Sequence, residues 1–225
     1  METQRKTAIV LGATGLTGGI LLRLLLQDDR YEKIKLFSRS STGLVDKKIE
    51  EHLGNLMQLE QFEADFTGDE VFCCIGTTKS KTPQKEMYRK IDYGIPVAAA
   101  KLCAQNGISG FLVISSMGAN AKSRVFYNRL KGEMEEAVLR EDLKNTYIFR
   151  PSLIGGKREE KRLGEWVFKQ LMKGVNLVLA GPLEKYRSID PETIAKAMVI
   201  VANRGYSRSI IESDKIHQIA SGDRD

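Results

Sequence analysis

Tyr127 and Lys131 stand four residues apart in Tyr127-Asn128-Arg129-Leu130-Lys131, a spacing that puts both side chains on one face of a helix. A lysine ammonium one turn from a tyrosine favours a phenolate, which makes proton donation and acceptance practicable nearer neutral pH. Upstream, Ile114-Ser115-Ser116-Met117-Gly118-Ala119 ends a very apolar run with two hydroxyls, and Ser116 can hold a substrate oxygen. A Tyr-x-x-x-Lys pair alone occurs by chance on any amphipathic helix. Its weight here comes from position, directly after a Ser-Ser strand end and far downstream of a glycine-rich turn.

That turn lies in residues 6–18, where Thr7-Ala8-Ile9-Val10-Leu11 runs into Gly12-Ala13-Thr14-Gly15-Leu16-Thr17-Gly18. The following Gly19-Ile20-Leu21-Leu22-Arg23-Leu24-Leu25-Leu26 continues as a good helix former. Strand, turn and helix in this order predict a dinucleotide-binding turn: Gly12 for the tight bend, Gly15 for the approach of a diphosphate, Gly18 for close helix packing. The phosphates would rest on N–H groups at the positive end of the helix.

Three further strand ends should line the same cofactor. The second, Lys35-Leu36-Phe37, passes into Ser38-Arg39-Ser40 with no carboxylate to take a ribose 2′-hydroxyl. Arg39 offers a planar fork for a phosphate, with Ser38 and Ser40 as added donors, so NADP(H) is expected rather than NAD. At the third, Glu51-His52-Leu53-Gly54-Asn55-Leu56 should meet the adenine, Asn55 accepting from its amino group and Leu56 packing on the ring. Placing Ala64-Asp65-Phe66 there instead would leave only Thr67 to Glu70 to cross back to the next strand, and parallel crossovers need about a dozen residues. The fourth, Val71-Phe72-Cys73-Cys74-Ile75, gives way to Gly76-Thr77-Thr78, where the chain can run close to the ribose and nicotinamide. Lys131 could reach the hydroxyls of that ribose.

The 225 residues are 42% hydrophobic and 28% charged, enough to bury one sizeable α/β core. The formal net charge is +6, yet Lys and Arg alternate with Asp and Glu, as in Lys157-Arg158-Glu159-Glu160-Lys161-Arg162, so no nucleic-acid partner is expected. A basic surplus suits a polyanionic cofactor. No apolar run reaches the ~18 residues of a membrane span, and the first strand starts too early for a signal peptide, so a cytoplasmic location without membrane contact is expected. Cys73, Cys74 and Cys103 lack metal-ligand spacing and read as small buried hydrophobes in a reducing compartment; no metal is expected.

Strand-length apolar runs alternate with helical patterns, the sign of βαβ units. Strands are expected near 7–11, 33–37, 49–53, 71–75, 110–115 and 146–149, and helices near 17–27, 57–66, 86–105 and 126–140. After Pro151 a helix is expected at 164–173, another at 191–203, and a last strand and helix over 209–220. Pro96 inside 86–105 demands either a helix starting near Asp92 or a kink. The expected architecture is α/β: a Rossmann-like, doubly wound parallel sheet in three αβα layers. It forms a single domain over 1–225, with a cofactor core at 1–150 and a smaller substrate-side lid at 151–225. Within the lid, Arg158, Arg162, Trp166 and Tyr186 are candidate substrate contacts.

Together, Gly12 to Gly18, Cys73-Cys74-Ile75-Gly76-Thr77-Thr78, Ser115-Ser116-Met117-Gly118-Ala119, Tyr127 with Lys131, Arg150-Pro151 and Gly164-Glu165-Trp166 resemble the atypical short-chain dehydrogenases. Within them the chain is similar to the Tat-interacting-protein-like NADPH-binding oxidoreductases. The resemblance implies NADP(H) across the strand ends and a catalytic set of Ser116, Tyr127 and Lys131. It also implies Ser115 beside the cofactor and Pro151, Ser152, Leu153 and Ile154 along its nicotinamide end. The implied reaction is reduction of a carbonyl on a small molecule. Alternatives are a nucleotide-sugar epimerase-like enzyme and, since the family includes regulators, an NADPH sensor with a protein partner. Asn55 departs from the acidic residue common there, and no asparagine follows the fourth strand to complete a proton relay.

Overall fold

A computed structural model of the protein describes residues 5–155 and 188–222. Among them, strands β1 (Lys6–Leu11), β2 (Tyr31–Ser38), β3 (Ile49–Leu53), β4 (Glu70–Cys73), β5 (Gly110–Ile114), β6 (Asn145–Arg150) and β7 (Ile210–Glu212) form one parallel sheet, ordered β3-β2-β1-β4-β5-β6-β7. The helices are α1 (Leu16–Leu26), α2 (Lys85–Arg89), α3 (Ile95–Gln105), α4 (Phe126–Leu139), α5 (Pro191–Arg204) and α6 (Ser213–Ser221). The central strands β1, β4, β5 and β6 are buried and apolar over most of their length because helices cover both faces of the sheet, whereas the edge strand β3 is polar in its middle. Successive side chains of β1 split between two cores. Ala8 and Val10 join Phe72, Leu112 and Phe149 beneath α1, α5 and α6. Ile9 and Leu11 join Val71, Phe111 and Val113 beneath α3 and α4. Each fully buried Phe or Ile contributes roughly 2 kcal/mol by transfer from water. The expected three-layer fold is the observed one.

Two stretches differ from expectation. The helix expected at 57–66 is a short 3₁₀ segment, Leu56–Phe62, broken at Gln58. Phe37 explains the break: its ring packs on Phe62 and Phe66 at centroid distances of 5.3 and 5.0 Å, so the segment bends to deliver both rings. The helix expected at 86–105 runs through α2 and α3, joined by a π-helical turn at Lys90–Gly94. Pro96 has no N–H and clashes with the preceding turn, which the wider turn relieves. The helix expected at 164–173, with Arg158, Arg162, Trp166 and Tyr186, lies outside the described residues.

At the amino-terminal edge of the sheet a polar cluster ties α5 to β1, β2 and β4. Lys6 Nζ reaches Glu70 at 3.0 Å and the Ala202 carbonyl at 3.2 Å, and the Tyr31 hydroxyl donates to Glu70. Asn203 Nδ2 donates to the Tyr31 oxygen at 2.8 Å. Burial pushes the Glu70 carboxyl above its ordinary value against the opposing bonds from Tyr31 and Lys6. A raised folded value means that this group's contribution is complete below the unfolded value of 4.5 and is lost as pH rises through the folded one. Glu70→Gln should therefore flatten this part of the stability profile. From about pH 4 upward, thermal melts should show wild type losing stability relative to the variant until the folded carboxyl has ionised; parallel profiles would contradict the assignment.

Candidate functional site

β1 pairs with β2 on one side and β4 on the other, so the chain reverses direction of winding there and leaves a crevice at the strand ends. Gly12 begins the turn in the left-handed region at φ +88°. A Cβ on Gly18 would stand 2.2 Å from the Gly12 carbonyl oxygen, so only glycine lets α1 start this close to the turn. No side chain caps α1, and its first turn carries no acid, leaving its N–H groups open toward the crevice.

Two chambers adjoin the turn. The main one, about 510 Å³, runs from Gly12, Thr14 and Gly15 past Arg39, Asn55 and Leu56 to Ile75, Gly76 and Thr77. The outer one, about 770 Å³, lies between the start of α1 and Ser40-Ser41-Thr42. Among the described residues no carboxylate lines either chamber. The structure thus gathers the predicted Gly12, Thr14, Gly15, Arg39, Asn55, Leu56, Ile75, Gly76 and Thr77 at one cleft, and brings Leu16 and Ser40 to its outer side. Ala13 lines the outer chamber but is itself buried, as are Thr17 and Gly18, which support the turn.

Several predicted contacts take other partners. Ser38 is buried and its hydroxyl donates to the Ser40 carbonyl at 2.6 Å, shaping the loop. The Asn55 side-chain oxygen accepts from Met57 N–H at 3.1 Å, capping the 3₁₀ turn instead of standing open to an adenine. Ser115 points into the core and donates to Glu135, which Arg150 grips with Nε at 3.0 Å and Nη2 at 2.6 Å. Glu135 accordingly raises the already high pKa of Arg150. The Thr78 hydroxyl pairs with Ser80 at 2.9 Å. Pro151 is buried, Ser152 N–H donates to Ser213 Oγ at 3.2 Å, Ile154 bridges to Ile189, and Leu153 is exposed. The cysteines are structural: burial pushes the Cys73 thiol up to about 11 and raises Cys74 and Cys103 further.

Of the catalytic candidates, Tyr127 and Lys131 lie on α4 and Ser116 in the loop that precedes it. A Cβ on Gly132 would sit 2.1 Å from Ala121 N, so the helix seats directly on the loop that follows Ser116. The Ser116 hydroxyl is buried without a hydrogen-bond partner among the described residues. Tyr127 is 36% exposed and meets the Tyr88 ring edge-on at 6.2 Å. Lys131 is 2% exposed, and its ammonium lies 3.0 Å from Asp92 Oδ1 rather than standing free toward a ribose. Burial would lower its pKa, yet Asp92 first and Tyr127 second outweigh that and raise it.

Asp92 escaped the sequence reading. It sits on the π-helical turn, 1% exposed, and its second oxygen accepts from Thr77 N–H at 2.8 Å. One carboxylate thus joins α4 to the loop lining the main chamber. The only local signal was Pro96, four residues on, which forces the turn that swings Asp92 inward.

A family model described as NAD(P)H-binding matches residues 12–165. The chain is similar to Protein HTATIP2 of Rattus norvegicus, 30% identical over 173 residues, or 75% of this chain and 71% of that protein. It is likewise similar to "Protein FMP52, mitochondrial" of Debaryomyces hansenii, 30% identical over 203 residues, or 88% of each. Among solved structures, the Bordetella bronchiseptica enzyme WbmG in complex with NAD and UDP shares the fold, with a TM-score of 0.68 at 11% identity over 97% of this chain and 78% of that one. The expected cytoplasmic location is overturned by these relatives, since the FMP52 proteins of Candida albicans and Candida glabrata are also named mitochondrial. The expectation rested on finding no membrane-span-length apolar run and no room for a signal peptide, and neither observation carries an organelle address, which is why they misled.

Removing one member of a buried ion pair strands the other charge, at a cost of about 3–5 kcal/mol. Asp92→Asn should lower unfolding stability by about that much in urea titrations, and adding Lys131→Met should restore most of it. Equal loss in the single and double variants would show that the pair is not coupled.

Proposed function

The chain belongs to the NAD(P)H-binding family, in the group of atypical short-chain dehydrogenases that includes HTATIP2 and FMP52, and from that premise we propose that it is an NADP(H)-dependent reductase of a small-molecule carbonyl. The observation that carries the reaction is the buried, partnerless Ser116 hydroxyl. Such a group costs desolvation energy unless a ligand atom satisfies it, and a carbonyl oxygen is the acceptor that fits its donor.

The residues present fit a dinucleotide. Main-chain N–H groups of the Gly12–Gly18 turn would hold the diphosphate on an uncapped helix end, in a cleft without carboxylates. Arg39 would hold the adenosine end, residues 75–78 the stretch between, and residues 151–154 the nicotinamide end. When bound, the nicotinamide supplies hydride to the carbonyl carbon. Ser116 orients the carbonyl oxygen and Tyr127 delivers the proton to it. Lys131, kept charged by Asp92, acts on Tyr127 from one turn along α4. Arg39 supports NADP(H) over NAD: it is exposed, lines the main chamber, and has no hydrogen-bond or ion-pair partner among the described residues. Residues 151–225 supply the substrate side. A nucleotide-sugar substrate is the second reading: among solved structures of this fold, MoeE5 is in complex with UDP-glucose and NAD.

Fluorescence titration should give tighter binding of NADPH than of NADH, and Arg39→Ala should weaken NADPH about tenfold or more while sparing NADH. Equal wild-type affinities would end the NADP preference. In assays of NADPH consumption against a panel of aldehydes and ketones, Tyr127→Phe should keep cofactor affinity and lose about a hundredfold or more in turnover. Undiminished turnover in that variant would remove Tyr127 from the chemistry.

A further inference from the structure

The two chambers beside the glycine turn share Thr14, Gly15 and Lys81 in their walls. Lys81 comes from the loop after β4, on the opposite side of the turn from Arg39 and Ser40. The cations around the combined space are Arg39 in the main chamber, Arg23 in the outer one, and Lys81 in both. Three positive groups bordering a space that lacks carboxylates attract a polyanion. Glu51 holds the loop that borders the outer chamber: its Oε1 accepts from Thr42 N–H at 2.8 Å and from the Thr42 hydroxyl at 2.7 Å.

The backbone carrying Lys81 is also fixed. Lys81 N–H donates to the Thr78 carbonyl at 3.0 Å. The hydroxyl of its neighbour Thr82, a buried residue, pairs with Thr77 at 2.9 Å, and Thr77 N–H is held by Asp92. An exposed lysine on a tethered loop presents its charge to a defined volume at modest entropic cost.

We propose that Lys81 is a second specificity residue, pairing with the 2′-phosphate of the cofactor's adenosine from the face opposite Arg39. The inference rests on the NADP(H) reading above. The diphosphate is already served by the turn N–H groups, whereas the outer chamber opens past the end of β2, where a substituent on the adenosine ribose would project. A phosphate monoester there would meet the planar fork of Arg39 and the point charge of Lys81, with Ser40 at the rim.

The test is fluorescence titration of the full chain with NADPH and with NADH, using wild type, Lys81→Ala, Lys81→Arg and the exposed neighbour variant Lys79→Ala. Lys81→Ala should weaken NADPH about tenfold and change NADH less than about twofold; Lys81→Arg should recover most of the loss, and Lys79→Ala should match wild type. Equal weakening of both nucleotides would move the cation to the diphosphate and overturn the proposal. Unchanged NADPH affinity in Lys81→Ala, or an equal loss in Lys79→Ala, would overturn it as well. Wild type binding both nucleotides equally would instead defeat the NADP(H) reading beneath it, and wild type binding neither would defeat the cofactor assignment itself.

Discussion

A single buried ion pair, Asp92 with Lys131, holds together the parts of this protein that could do chemistry. Both side chains are almost fully removed from water, Asp92 at 1% and Lys131 at 3% exposure, so neither could stay charged alone. Their attraction fixes α4 against the π-helical turn, and the second Asp92 oxygen fixes Thr77 at the edge of the cleft. Pairs of this kind contribute little net stability against an apolar core, but they specify one arrangement because every alternative strands a charge. The lysine is thereby kept cationic one turn from Tyr127.

Around that pair, close contacts through missing side chains set the remaining geometry. Gly18 lets α1 rest on the Gly12 carbonyl, and Gly132 lets α4 rest on the loop after Ser116. The first contact aims the open end of α1 into the crevice at the switch of winding, and the second brings the Tyr127 helix onto the strand that ends in Ser115-Ser116. Behind the site, Ser115, Glu135, Arg150 and Glu212 form a chain of polar contacts from β5 through α4 and β6 to β7. The Ser-Ser pair is thus divided, one hydroxyl serving the framework and the other buried without a partner among the described residues.

Much of this was legible in the residues because its causes are local. Gly12, Gly15 and Gly18 have fixed spacing, the strands are near-continuous apolar runs, and a Tyr and Lys four apart must share a helical face. Sequence also chose the right exit from the third strand, since chain length alone ruled out Ala64-Asp65-Phe66. The segment after it was misjudged: Leu59, Phe62 and Phe66 have helical spacing, but the demand of the Phe37 ring for partners overrode that periodicity. Asn55 and Ser38 carry the polar groups expected of ligands, yet each is spent within a few residues, on Met57 and on Ser40. Such short loops between a side chain and nearby backbone compete with any ligand, and residue type alone does not reveal which wins.

By itself, the sequence determined the α/β class and the position of the glycine turn, because these follow from periodicity and spacing along the chain, and its motifs carried the resemblance to a dehydrogenase family. Only the tertiary structure decided that Asp92 would find Lys131, which lies 39 positions away, that Ser115 would turn inward while Ser116 stayed unpartnered, and that Lys81 would border both chambers. Those outcomes depend on which groups are brought together once water is expelled, and the cost of leaving a buried charge or hydroxyl unsatisfied is a property of the packed neighbourhood rather than of any stretch of chain.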